Sequence, residues 1–176
     1  ATDASLFHLE PLAVAEPTCT EDLAVLVKYA RDHNIALIPR GGGTGLAGES
    51  LGTGIVIDTA THLRKIWEIG SDSVRVQPGV VLQDLNNELQ KVGRRFAIDM
   101  ASAKACTLGG MWAMDSSGSR ANIHGSTRDH VIDLQVIWDD ASVSSSHPNI
   151  DDASRPAAIA DAHCRRGNFF RRARDR

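Results

Sequence analysis

A run of glycines at residues 41–48, reading GGGTGLAG, has the residue types and spacing of a phosphate-binding loop. Successive glycines let neighbouring backbone N–H groups point into one concavity and let an anion approach the main chain closely. Residues 43–48 fit the dinucleotide fingerprint G-x-G-x-x-G, and residues 43–50 miss the phosphate-loop pattern G-x-x-x-x-G-K-[ST] by one position. The stretch therefore predicts an anion-binding loop. It could belong to the dinucleotide-binding type, the P-loop type or a third type.

The residues after the glycines argue against both of these motifs. Each motif needs a helix directly after its loop, because the positive end of that helix holds the phosphate. Here the strand-like run Ile55-Val56-Ile57-Asp58 begins soon after Gly48, and Gly52 and Gly54 lie in between. Glu49 also stands where a P-loop carries Lys, and a carboxylate there would repel phosphate. We therefore predict a pyrophosphate cradle between two strands, with a flexible linker or a wide turn as the alternative.

The composition is that of a soluble globular domain. The chain has 176 residues, of which 42% are hydrophobic and 23% charged, and its formal net charge is -3. This balance gives no basic surface for nucleic acid, and no apolar run approaches the length of a membrane span. Cys19, Cys106 and Cys164 form no C-x-x-C pair, which argues against a disulfide framework or a zinc site and favours a reducing, cytoplasmic setting.

Hydrophobic periodicity predicts the elements that position the loop. We expect helices over about 20–33 and 80–93, a short helix at the start of 107–120, and strands within 12–17, 35–40, 54–60, 66–70, 73–78 and 131–138. This order indicates an α+β fold rather than regular βαβ winding. From about 143 the chain is Ser- and Asp-rich and then Arg-rich, which predicts at most a short helix over about 151–163 and a disordered end.

Three segments in order resemble a known family: Pro39–Leu46, Val76–Val80, and a glycine-rich stretch from Ala105 to Val131. Together they look like the FAD-binding domain of the vanillyl-alcohol oxidase and p-cresol methylhydroxylase flavoproteins, near the glycolate oxidase and D-lactate dehydrogenase-like FAD-linked oxidases. The resemblance covers roughly residues 10–142. It implies a PCMH-type fold of two small α/β subdomains with FAD between them. We expect a domain over 1–142, incomplete at its N-terminus, and a tail over 143–176 that is poorly ordered or truncated.

The resemblance also implies which residues contact FAD. The first loop would hold the pyrophosphate, and the second segment would pass close to the flavin or its phosphates. The third segment would contact the pyrophosphate and the isoalloxazine. Its later part would then cover the ribityl or adenine portion. These residues are Arg40, Gly41, Gly42, Gly43, Thr44, Gly45 and Leu46; Pro78 and Gly79; Cys106, Thr107, Gly109 and Gly110; and Ser117, Gly118, Gly125 and Ile132.

The sequence departs from the family pattern at several positions. The first loop has no His, so we expect FAD to be bound non-covalently. Met111 and Trp112 follow Gly110 where relatives often carry Asn soon after Gly-Gly, which alters a polar contact. His124 stands where Tyr is common. Both His124 and His130 have the residue type of a general base, but we expect them to be structural, and we expect Cys106 to be a small apolar filler.

The predicted function is that of the FAD-binding domain of an FAD-linked oxidoreductase. It would oxidise a 2-hydroxy acid of the D-lactate or glycolate kind, or a related alcohol, by hydride transfer to the flavin; a catalytically silent flavin- or nucleotide-binding module is the alternative. The sequence assigns no catalytic base and no metal site. We expect the chain to be a fragment whose partners are a small-molecule substrate, a missing cap domain, and an iron–sulfur module or other electron acceptor. We expect a cytoplasmic location, with peripheral membrane association as the alternative.

Overall fold

The computed structural model describes residues 2–146 and 157–165, which form two β-sheets flanked by helices. The strands are β1 (Ala13–Ala15), β2 (Leu37–Arg40), β3 (Ile55–Asp58), β4 (Ile66–Ile69), β5 (Ser73–Val76), β6 (Val131–Trp138), β7 (Val143–Ser146) and β8 (Ala157–Arg165). The helices are α1 (Thr20–Asp32), α2 (Leu82–Lys91), α3 (Leu108–Ala113) and α4 (Ala121–His124), and a 3-10 turn spans Arg128–His130.

The first sheet is a small parallel sheet of order β1-β3-β2. Its central strand, β3, is apolar and buried at Ile55, Val56 and Ile57, as expected for a strand covered on both faces. Helix α1 connects β1 to β2 and buries Leu23 and Val27 in the same core as Ile57. This unit holds the strand that leads into the glycine-rich loop and the strand that follows it.

The second sheet is antiparallel and has the order β4-β5-β8-β6-β7. Helices α2 and α3 contribute to its core, in which Leu85, Leu89, Leu108 and Met111 pack in one cluster with strand residues such as Val136. Ile137 of β6 belongs to the core of the first sheet instead. Strand β6 therefore contributes to the cores of both sheets.

The predicted elements up to residue 138 all occur, and the fold is α+β as expected. Residues 41–54, all of which the structure describes, contain no helix. The absence of a helix after the glycines confirms that the loop is neither a Rossmann site nor a P-loop.

The expectation of a short helix over about 151–163 is wrong for residues 157–163, which lie in β8. This strand pairs with β5 on one side and with β6 on the other, for example through Ala162 opposite Val76 and Leu134. Pairing with two neighbouring strands overrides weak local propensity. Residues 151–156 and the predicted disordered end at 166–176 lie outside the described residues.

Among the described residues, none of the helices is both long and apolar enough to traverse a bilayer.

Candidate functional site

The glycine-rich loop follows β2 and begins with a row of backbone N–H groups that donate no hydrogen bond to any described residue. Within the described part of the chain, the backbone N–H groups of residues 41–46 donate no hydrogen bond. The next one, that of Ala47, donates to the Glu49 carboxylate at 3.1 Å. The loop is half-buried or exposed along its length. A row of free N–H groups that a ligand can reach is the chemistry of an anion cradle.

The loop lies directly on the segment that precedes α3. A Cβ at Gly41 would overlap Oγ1 of Thr107, and a Cβ at Gly42 would overlap the carbonyl oxygen of Ala105. A side chain at either position would displace its neighbour, because Gly41 packs against the Thr107 side chain and Gly42 against the backbone of Ala105. The first and third sequence segments, which are far apart in the chain, meet here.

The second segment joins the third from the other side. The N–H of Gly109 donates to the carbonyl of Pro78 at 2.8 Å, and that of Leu108 donates to Val80 at 2.9 Å. A Cβ at Gly109 would lie 2.6 Å from the Cβ of Pro78. The Thr107 hydroxyl accepts from the Gly110 N–H at 3.4 Å and caps α3. The three segments thus converge on the start of α3.

Thr59 ties the start of the loop to the end of β3. Its N–H and its hydroxyl both donate to the carbonyl of Arg40, at 2.9 and 3.0 Å. Its own carbonyl lies where a Cβ at Gly79 would be. Thr59 was not among the predicted site residues, and its only signal in the sequence is that it directly follows the strand Ile55–Asp58.

The Arg40 side chain turns toward the N-terminal segment. Its Nη2 donates to the Thr2 carbonyl at 2.7 Å, and its Nη1 lies 3.4 Å from the Ser50 hydroxyl. The Ala4 N–H donates to the Gly43 carbonyl at 3.0 Å, so the same segment also contacts the loop backbone. Arg40 therefore supports the loop in this structure, while its assignment as a phosphate contact stays a prediction.

The later part of the third segment forms a separate set of turns. Gly118 has a φ of 68° and packs against the backbone of Asp99, a position that a side chain would strain. The Ser126 N–H donates to the Asp129 carboxylate at 2.7 Å, and the Thr127 N–H donates to the carbonyl of Ser116, the residue before Ser117, at 2.9 Å.

Two predicted contacts lie at the margin of this assembly. Leu46 is 77% exposed. Ile132 is half-buried in β6, at an irregularity in its pairing with β8.

Arg128 closes the end of α3. Its Nε and Nη2 donate to the carbonyls of Trp112 and Ala113 at 3.4 and 3.3 Å, and its guanidinium lies 5.2 Å from the centre of the Trp112 ring. A cation at a helix C-terminus is favoured by the helix dipole. Arg128 thus has a structural role at the end of α3.

His130 and Cys106 are both buried. Nε2 of His130 lies 2.8 Å from the carbonyl of His124, and the His130 ring meets Phe96 edge-on. Burial raises the pKa of the Cys106 thiol above its usual value of 9.0. These placements support a structural His130 and an apolar Cys106. Within the part of the chain that the structure describes, no grouping of three or more His, Cys, Asp or Glu side chains suits a metal ion.

Several curated proteins are similar in sequence to this chain. "D-2-hydroxyglutarate dehydrogenase" of Pseudomonas putida is 39% identical over 99% of this chain and 18% of its own length. The protein of the same name from Pantoea ananatis is 36% identical over 84% of this chain and 15% of its own length. "Glycolate oxidase subunit GlcD" of Bacillus subtilis is 33% identical over 72% of this chain and 28% of its own length. The chain therefore spans under a third of the length of these relatives.

A solved structure of alkyldihydroxyacetonephosphate synthase shares the fold. It superposes with a TM-score of 0.75 at 22% identity, over 86% of this chain and 33% of that one. The family described as "FAD binding domain" matches residues 11–145. The match spans the whole converging assembly of the three glycine-rich segments and confirms the resemblance predicted from them. The chain belongs to this family of FAD-binding domains.

Proposed function

We propose that this chain is the FAD-binding portion of an oxidoreductase that oxidises a 2-hydroxy acid. The observation that carries the proposal is the row of free backbone N–H groups at residues 41–46, seated on the start of α3. Relatives named D-2-hydroxyglutarate dehydrogenase, D-lactate dehydrogenase and glycolate oxidase support a 2-hydroxy acid as the substrate class.

The residues of the assembly fit FAD. The free N–H groups of 41–46 and the Thr44 hydroxyl supply neutral donors for a pyrophosphate. Pro78-Gly79 and the segment from Cys106 to Gly110 form the adjoining wall, in which Gly109 packs against Pro78. Ser117, Gly118, Gly125 and Ile132 remain the proposed contacts of the ribityl or adenine portion. When bound, FAD would supply hydride acceptance, while this chain orients the cofactor and shields its phosphates from water.

We further propose that the cofactor is held non-covalently and that the protein works in the cytoplasm. The glycine-rich loop offers no His for a flavin linkage, and the cysteines form no C-x-x-C pair. The substrate-binding cap and the electron acceptor are proposed partners, because the named relatives are several times longer than this chain.

The first experiment tests FAD binding by the purified chain. We expect FAD fluorescence to be quenched on titration and FAD to be released intact by denaturation. Gly42→Ala should weaken binding at least tenfold, because its Cβ would overlap the Ala105 carbonyl. Gly70→Ala, in the turn between β4 and β5, is the control and should bind like wild type. Equal binding by Gly42→Ala, or no binding by any protein, would contradict the proposal.

The second experiment tests the activity, on FAD-loaded protein that carries its native flanking sequence. Under anaerobic conditions, D-2-hydroxyglutarate, D-lactate or glycolate should bleach the flavin absorption band. A yellow protein that none of these acids bleaches would instead indicate a silent flavin-binding module. The two experiments separate cofactor binding from substrate turnover.

A further inference from the structure

The glycine-rich loop already carries an anion of its own. A Cβ at Gly45 would overlap Oε1 of Glu49, so the carboxylate lies against the loop backbone. Its Oε2 accepts the Ala47 N–H at 3.1 Å. The Glu49 carboxylate therefore lies next to the last of the free N–H groups. In the proposed function, the phosphates of a ligand would bind beside it.

Two further charged side chains near the loop, Arg40 and Asp3, have opposite signs. Arg40 donates to the Thr2 carbonyl, lies close to Gly43 and contacts the Ser50 hydroxyl at 3.4 Å. Asp3 is linked to Arg40 through Ser50, whose hydroxyl donates to Asp3 at 3.2 Å, and the pKa of Asp3 is lowered mainly by its hydrogen bond with Ser5. Arg40, Asp3 and Glu49 together leave one net negative charge beside a loop whose backbone supplies neutral dipoles.

We propose that Glu49 is a specificity-determining residue that selects ligands with few phosphate charges. A pyrophosphate diester such as that of FAD carries roughly two negative charges, against roughly four for ATP, and repulsion by a fixed carboxylate grows with that number. Backbone N–H groups attract both ligands, whereas Glu49 repels the more highly charged ligand more strongly. The inference rests on the proposed role of this loop as the pyrophosphate site and adds the physical basis of its selectivity.

Glu49→Gln tests this directly, because it keeps the shape and an oxygen that accepts the Ala47 N–H but removes the charge. The probes are riboflavin, FAD and ATP, titrated by flavin fluorescence and, for ATP, by displacement of FAD. We expect the affinity to rise about two- to threefold for each negative charge on the ligand at low salt, and less in high salt. Riboflavin binding should not change, and ATP should gain more than FAD.

The control is Glu88→Gln, which makes the same change in net charge on α2, where the carboxylate pairs with Lys91 at 2.7 Å. It should leave all three affinities unchanged. The same gain for riboflavin and ATP, or weaker FAD binding by Glu49→Gln, would overturn the inference while leaving the FAD site standing. Wild-type protein that binds no FAD would overturn the proposed function and the inference together.

Discussion

At the scale of single residues, the contact between Gly41 and Thr107 allows a rescue experiment. Gly41→Ala should destabilise the fold by about 1–3 kcal/mol and weaken FAD binding, because the new Cβ overlaps Oγ1 of Thr107. Removing that oxygen in Gly41→Ala/Thr107→Ala leaves the Thr107 Cβ at 3.4 Å, an ordinary contact, so part of both losses should return. Urea unfolding and FAD titration measure the two effects. In Gly41→Ala/Thr107→Val a methyl group takes the place of Oγ1, so the overlap remains. Rescue by this double variant would contradict the overlap as the cause of the two losses.

Cys106 gives a second prediction at this scale. It is 4% exposed, and burial raises the pKa of its thiol, so it should remain a neutral, inaccessible thiol at pH 8. Iodoacetamide should therefore modify the half-buried Cys19 well before Cys106 in the native protein. Peptide mass spectrometry distinguishes the sites, and urea-unfolded protein, in which both should react, is the control. Fast native labelling of Cys106 would argue for a reactive thiol.

At the scale of elements, hydrogen bonds whose strength depends on pH join the first turn of α1 to the residue before its N-cap. Asp22 accepts the Thr18 N–H at 2.8 Å and the Thr18 hydroxyl at 2.7 Å, and these bonds hold the pKa of its carboxyl below the usual 3.8. A lowered pKa in the folded state stabilises the fold above about pH 4, and this contribution disappears as the pH falls through the folded value.

We therefore expect Asp22→Asn to lower the melting temperature at pH 7, and the difference from wild type to shrink as the pH falls below about 4. Asp32→Asn, at the other end of the same helix, controls for the change in net charge. Thermal unfolding followed by circular dichroism measures the difference. A gap between Asp22→Asn and wild type that stays constant from pH 7 to pH 3 would show that the carboxylate charge does not strengthen the bonds to Thr18.

The end of α3 gives a second prediction about an element. Arg128→Ala removes both donors to the last carbonyls of α3 and the stacking on Trp112, and should lower the free energy of unfolding by about 1 kcal/mol. Arg128→Lys keeps the charge but loses the planar fork, so it should fall between Arg128→Ala and wild type. Urea unfolding measures all three proteins. A Lys variant as unstable as the Ala variant would mean that charge alone contributes little.

At the scale of the whole molecule, β8 holds the five-stranded sheet together. It lies between β5 and β6, so without it the pair β4-β5 has no hydrogen-bonded link to β6-β7. Ala162→Pro should remove a ladder hydrogen bond from this central strand and expose the amides of β5 and β6 to hydrogen exchange. Ala13→Pro is the matched control, because Ala13 begins an edge strand. Equal protection of β5 and β6 in both variants would contradict the central role of β8.

Much of the fold could be predicted from the sequence because its signals are local. The periodic apolar positions of α1 and α2 place Leu23, Val27, Leu85 and Leu89 in the core, as they do in the structure. The strand that begins at Ile55 excluded a Rossmann helix. β8 could not be predicted in this way, because it depends on pairing with strands that are distant in the chain, for which local propensity is a weak guide.

The sequence by itself determined that a glycine-rich cradle lies between two strands and that three such segments belong to one family of FAD-binding domains. Only the tertiary structure decided which groups of that cradle are available to a ligand. It brings Gly41 onto Thr107, turns Arg40 toward Thr2 and lays Glu49 against Gly45. Residue types fix the chemistry that a segment can supply. Where each charge and each free N–H points depends on contacts between residues that the sequence places far apart.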